Sequence, residues 1–132
     1  MAVATVGTDY PILVVDDSRV SLLLITKILT QGGFAVTSAG DGEEALTLIK
    51  QTYFPVVITD WQMPNMDGAA LCEAVRKLDS SDKIYIIVLS ATESQDDILT
   101  VLKAGADDFI IKPFKQDELI NKVKKGLCRA LK

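Results

Sequence analysis

The sequence predicts an α/β protein, a doubly wound parallel sheet of five strands with helices on both faces. Three observations carry that reading. Four runs of branched apolar residues are nearly continuous rather than alternating, as strands covered on both faces are. Segments with helical spacing of apolar residues lie between them. Strand and helix patterns also take turns along the chain, which requires right-handed crossovers between parallel strands. The chain has 132 residues, 48% hydrophobic and 24% charged. That suits one domain able to bury roughly two-thirds of its unfolded surface. Residues 1–10 read as an N-terminal extension and 11–132 as the folded domain.

The first strand is expected over 11–15, PILVV. The helix after it spans 18–30, where Val20, Leu23, Leu24, Ile28 and Leu29 recur at threes and fours, and Gly32-Gly33 stops it. Residues 34–38 alternate and read as an edge strand. A second helix covers 41–52 with Ala45, Leu46 and Ile49 inward, and the third strand covers 55–58. A third helix follows Asp67-Gly68 and reaches 78. Strand 84–89 leads to a helix over 94–104 that ends at Gly105. The last pair is strand 109–111 and helix 116–131, with Leu119, Ile120, Val123 and Leu127 on one face. No linker, low-complexity tract or second domain interrupts the series.

Histidine is absent. That removes a Ser-His-Asp triad, a His-ligated zinc or iron site, and any phosphohistidine carried by this chain. Cys72 and Cys128 lie far apart without CxxC spacing, so free thiols in a reducing cytoplasm are expected. No apolar run approaches the ~20 residues of a membrane span. Residues 1–10 have neither a basic region nor an apolar stretch, so no secretory signal is expected and the location is read as cytoplasmic. No GxGxxG or GxxxxGK[ST] follows the first strand, which speaks against a nucleotide site.

The chemistry collects at the strand ends. Asp16 and Asp17 follow the first strand, Asp60 the third, Ser90 the fourth, and Lys112 with Pro113 the fifth. In an open α/β sheet the crevice outside the carboxyl ends of the strands is the default ligand site. Taken singly, the aspartates and the serine read as caps or turn starters and the lysine as a solvated end. Together, three crowded acids repel, and without a cation at least one would have to hold its proton. Mg²⁺ relieves the repulsion, because it suits a few carboxylates, waters and a phosphate. Lys112 can pair with an anion beside the metal. This describes a phosphoryl-transfer site with Asp60 as candidate nucleophile.

The segments Val14-Val15-Asp16-Asp17, Asp60-Trp-Gln-Met-Pro-Asn-Met-Asp-Gly68, Leu89-Ser90-Ala91 and Lys112-Pro113-Phe114 resemble the signature of bacterial two-component response-regulator receiver domains, the CheY-like family. Gly40-Asp-Gly-Glu-Glu-Ala-Leu46 and Ala104-Gly-Ala-Asp-Asp-Phe109 resemble the same family's less functional stretches. The resemblance implies a flavodoxin-like three-layer sandwich of sheet order 2-1-3-4-5. It also implies a switch in a phosphorelay rather than an enzyme, with Asp60 accepting a phosphoryl group from a partner histidine kinase. Asp17, Asp60 and the backbone carbonyl of Gln62 would bind Mg²⁺ directly, and Asp16 would reach it through water. Lys112 would hold a phosphoryl oxygen, Ser90 would swing to bond the acyl phosphate, and Phe109 would stand at the aromatic switch position. The Lys112–Pro113 bond is expected cis.

Five of the basic residues, Lys122, Lys124, Lys125, Arg129 and Lys132, lie on the last helix. They read as a solvated face that complements the helix C-terminus. The alternative is part of a surface of fourth helix, fifth strand and fifth helix through which the family dimerises or meets a target protein or effector domain. The patch is small and the chain has a net charge of −4, so no direct nucleic-acid or membrane partner is expected. Two rival readings fit the sequence less well. An aspartyl phosphohydrolase resembling the haloacid-dehalogenase group needs DxDx[TV] on the first strand, whereas here it ends Asp16-Asp17-Ser18-Arg19. A fold-only binding module has no use for the complete polar set. The ending VKKGLCRAL over 123–131 resembles receivers that continue into an effector such as a diguanylate cyclase.

Overall fold

The computed structural model describes residues 10–79 and 81–131. The four continuous apolar runs form the inner strands and the fifth strand of the sheet: β1 Ile12–Val15, β3 Val56–Asp60, β4 Tyr85–Ser90 and β5 Asp108–Ile111. The weaker strand, β2 Val36–Ala39, forms the other edge, and the order is β2-β1-β3-β4-β5 with every pair parallel. Helices α1 Arg19–Gln31, α2 Gly42–Gln51, α3 Gly68–Arg76, α4 Gln95–Lys103 and α5 Gln116–Ala130 make the crossovers and the C-terminal layer.

Alternation along the strands builds two cores. Ile12, Val14, Ile58, Ile87 and Leu89 face one side and pack with Ile25, Ile28 and Leu29 of α1 and Leu119, Val123 and Leu127 of α5. Leu13, Val15, Val57, Ile86 and Val88 face the other side, against α2, α3 and Val101 of α4. Four helix starts are set by side-chain caps: Ser18 accepts from Ser21 N–H, Asp41 from Glu44 N–H, Asp67 from Ala70 N–H and Ser94 from Asp97 N–H. Glu44 also reaches back to accept from Gly40 N–H at 2.6 Å, the reciprocal half of a capping box shifted by one residue.

Two expectations are corrected. Of the five apolar residues that mark α1 in the sequence, Ile28 and Leu29 are buried, whereas Val20, Leu23 and Leu24 are 77%, 64% and 52% exposed. The stripe through Ile25, Ile28 and Leu29 is buried, with Leu22 packed against it. The run Val20 to Ile25 is apolar at five of six positions, so helical spacing fits two faces equally and contact with the sheet selects one. The edge strand also begins later than 34. Gly33 sits at φ 93° and Phe34 N–H donates back to Leu29 O at 3.0 Å. Phe34 therefore closes the end of α1 and enters its core.

On α5, Lys122 is not simply solvated: its Nζ donates to Asp108 Oδ2 of β5 at 2.9 Å and ties helix to edge strand. Lys132 lies outside the described residues, as does the extension 1–10 apart from Tyr10. The Tyr10 ring packs edge-on against Tyr53, 5.3 Å between centroids. Both cysteines are free, Cys72 on the buried face of α3 and Cys128 exposed on α5; burial pushes the Cys72 thiol up to about 12. Among the described residues no helix is long and apolar enough to cross a membrane.

Candidate functional site

Because all five strands are parallel, their carboxyl ends share one edge, and the polar residues after each strand meet there. The sheet ladder sets their spacing. Asp60 registers with Leu89 and Ser90 with Ile111. Two further backbone bonds extend the ladder: Trp61 N–H donates to Leu89 O at 2.9 Å, and Lys112 N–H donates to Ser90 O at 2.7 Å. The Lys112–Pro113 bond is cis. Lys112 Nζ donates to Asp60 Oδ1 at 2.8 Å, with both side chains largely buried.

Asp16, Asp17 and Asp60 each offer a carboxylate oxygen within 4.8 Å of the others. Asp16 is 1% exposed. Its Oδ1 accepts from Ser18 N–H at 2.9 Å, while Oδ2 is buried and without a hydrogen-bond partner. Burial holds the Asp16 carboxyl above its ordinary range. The Ser18 N–H and the Lys112 charge oppose that shift, and the Asp60 and Asp17 charges add to it. An orphaned buried oxygen inside an all-oxygen cluster fits a hard divalent cation, which would satisfy the lone pair and neutralise the crowding.

Two loops complete the walls. In the β3–α3 loop, Gly68 N–H donates to Trp61 O at 2.7 Å, and a Cβ on Gly68 would stand 2.6 Å from Asp60 O. Only glycine lets α3 start this close to the end of β3. In the β4–α4 loop, Ser90 Oγ accepts from Thr92 N–H at 3.1 Å. Between the loops lies a cavity of about 490 Å³ lined by Asp60, Trp61, Gln62, Ser90, Ala91, Thr92, Asp97 and Lys112. Thus Asp16, Asp17, Asp60 and Lys112 form one cluster, and Ser90 and Gln62 line the cavity beside it. Phe109 is half-buried on β5, opposite Val88 in the neighbouring strand, and does not line the cavity. Sequence reasoning missed Gly68 as a packing residue, and it missed Thr92 and Asp97 entirely. The only available signal for these was their position in the β3–α3 and β4–α4 connections.

A family model described as the response regulator receiver domain matches residues 12–124. The chain belongs to that family. Its receiver fold is similar to the Francisella response regulator 1452 receiver domain, with TM-score 0.84, 36% identity, and 92% of this chain and 98% of that one covered. It is also similar to the receiver domain of the sensor histidine kinase PA1611 from Pseudomonas aeruginosa, solved with a magnesium ion in its active-site cleft. There the TM-score is 0.84 and the identity 28%, over 90% of this chain and 98% of that one. Among curated proteins, the transcriptional regulatory protein PrrA of Mycobacterium leprae is 40% identical over 124 residues, covering 93% of this chain and 52% of PrrA. The chain spans about half the length of the curated relatives it matches.

Proposed function

We propose that this receiver domain is a phosphorylation switch whose acceptor is Asp60. The observation that carries the reading is the Lys112 ammonium 2.8 Å from Asp60 beside two further carboxylates, one of them with an orphaned buried oxygen. Asp17, Asp60 and the Gln62 carbonyl would hold Mg²⁺ directly and Asp16 would hold it through water. When bound, Mg²⁺ supplies positive charge beside the developing phosphoryl oxygens. The Asp60 carboxylate attacks phosphorus of a phosphohistidine on a sensor histidine kinase. An O–P bond forms, the N–P bond breaks, and its electron pair returns to the donor imidazole. Lys112 changes partner from the free carboxylate to a phosphoryl oxygen, and Ser90 Oγ donates to another. The domain thus assists its own phosphotransfer and later hydrolysis, without acting as an enzyme on a separate substrate.

These 132 residues contain no histidine, so the phosphohistidine donor lies outside this domain. Its approach is supported by an apolar groove of about 580 Å³ along α1. Leu24 and Ile28 line that groove together with Lys112, Pro113 and Phe114, so it adjoins the acceptor through the shared lysine. We assign output to the surface of α4, β5 and α5, to meet a target protein, an effector domain or a second copy; exposed Leu99 and Leu102 on α4 support this. The setting is the cytoplasm.

Incubation with acetyl phosphate and Mg²⁺ should add the mass of one phosphoryl group, detected by mass spectrometry of the intact protein. EDTA or Asp60→Asn should abolish it. Equal modification of the Asn variant would remove Asp60 from the role.

A further inference from the structure

The acceptor site leaves unexplained a carboxylate in its own wall. Asp97, in the first turn of α4, lines the same cavity as Asp60 and Lys112. It is half-buried and held twice. Its Oδ2 accepts from Thr92 Oγ1 at 2.9 Å, and its N–H donates to Ser94 Oγ at 3.5 Å. Thr92 is held in turn, accepting from Ser94 N–H at 3.1 Å through Oγ1 and donating its own N–H to Ser90 Oγ at 3.1 Å. One series of bonds therefore runs from Ser90 to the start of α4. A negative charge fixed in the wall of a chamber that receives a phosphoryl dianion works against it, and more strongly between protein walls than at a free surface. An acidic residue in the first helical turn also complements the helix dipole. Asp96 meets that need equally, yet it is exposed and does not line the cavity.

We propose that Asp97 is a positioning residue that opposes the phosphorylated state and carries its charge signal into α4. The inference rests on Asp60 being the acceptor. With the phosphoryl group in place, repulsion pushes the Asp97 carboxylate outward. Ser90, turning to the phosphoryl oxygen, gives up Thr92 N–H. Both holds on the β4–α4 loop then loosen together, and the first turn of α4 is released. Asp97 so weakens the loaded state and makes α4 respond to it.

The test uses the whole chain with Mg²⁺ and beryllofluoride, a phosphoryl mimic, followed by Trp61 fluorescence and by amide exchange in α4. Asp97→Asn keeps an acceptor for Thr92 and removes the charge. It should tighten beryllofluoride binding by roughly three- to tenfold, the gain shrinking as salt is raised. The rise in α4 exchange on loading should be largely lost. Asp96→Asn, the same charge change on the solvent side, should alter affinity less than about twofold. Thr92→Val keeps the charge but removes its tether, and should raise α4 exchange before loading. Asp97→Ser serves as a second neutral variant in case the Asn protein folds poorly. Wild-type affinity in the neutral variants, or an equal gain from Asp96→Asn, overturns the inference and reduces Asp97 to a helix-end charge. Failure of the wild type to take up beryllofluoride at all overturns the acceptor reading instead.

Discussion

Asp16 shows at the scale of one residue how this fold trades stability for function. Its carboxylate is buried with one oxygen lacking a partner, a cost of ~1–3 kcal/mol for an unsatisfied polar atom and more when it is charged. Burial raises the folded-state pKa above 3.8. A raised acid contributes stability that is complete below its unfolded value and is lost as pH rises through the folded value. Without metal, the protein should therefore lose stability between acidic and neutral pH as Asp16 ionises. Asp16→Asn should raise the metal-free stability at neutral pH by about 1 kcal/mol or more, measured by urea unfolding in EDTA. The same variant should lose much of the stabilisation that saturating Mg²⁺ gives the wild type. A variant no more stable than wild type in EDTA would mean that solvent reaches the orphaned oxygen.

Elements differ in how much of them the sequence makes legible. Strands β1, β3 and β4 are plain because both of their faces are buried, so they are apolar up to the polar residues Thr59, Asp60 and Ser90 at their carboxyl ends, and no choice of face is needed. The inward face of α1 is not plain, because apolar residues at Val20, Leu23 and Leu24 compete with Leu22, Ile25 and Leu29. Only the sheet, a partner distant in sequence, decides between them. The β3–α3 connection is legible as a turn at Asp67-Gly68, but its purpose is tertiary. Gly68 lets the first turn of α3 press on the carbonyl of Asp60. Gly68→Ala should push that turn away, costing about 1–3 kcal/mol of stability as an overpacked contact does. Phosphorylation by acetyl phosphate should also slow, because the loop carrying Trp61 and Gln62 moves with it. Unfolding curves and mass spectrometry measure the two effects. A variant with wild-type stability would show that the loop absorbs the methyl group elsewhere.

At the scale of the whole molecule, the polar cluster is legible because parallel strands deliver their last residues to one edge, and these happen to be acids, a hydroxyl and an ammonium. What the strand ends do not reveal is how the cluster reaches the outer surface, since Thr92 and Asp97 join it only when the β4–α4 loop folds back over the cavity. Two states can be shifted by a phosphoryl group only if their contacts differ. The contact proposed to change is that of Ser90, whose hydroxyl lines the cavity while bound to Thr92 N–H. Ser90→Ala should still be phosphorylated at Asp60, because nucleophile, lysine and carboxylates are intact. It should lose a charge-assisted hydrogen bond of roughly 1.5–3 kcal/mol, enough to reduce the active fraction about tenfold. Phe109, on the strand beside Ser90, should then keep its unphosphorylated packing. Amide exchange in α4 and α5, with and without beryllofluoride, reads this directly. The wild type should respond in both helices and Ser90→Ala weakly or not at all. A full response in the variant would leave Ser90 a strand end and would route the signal through Lys112 and the β5–α5 loop alone.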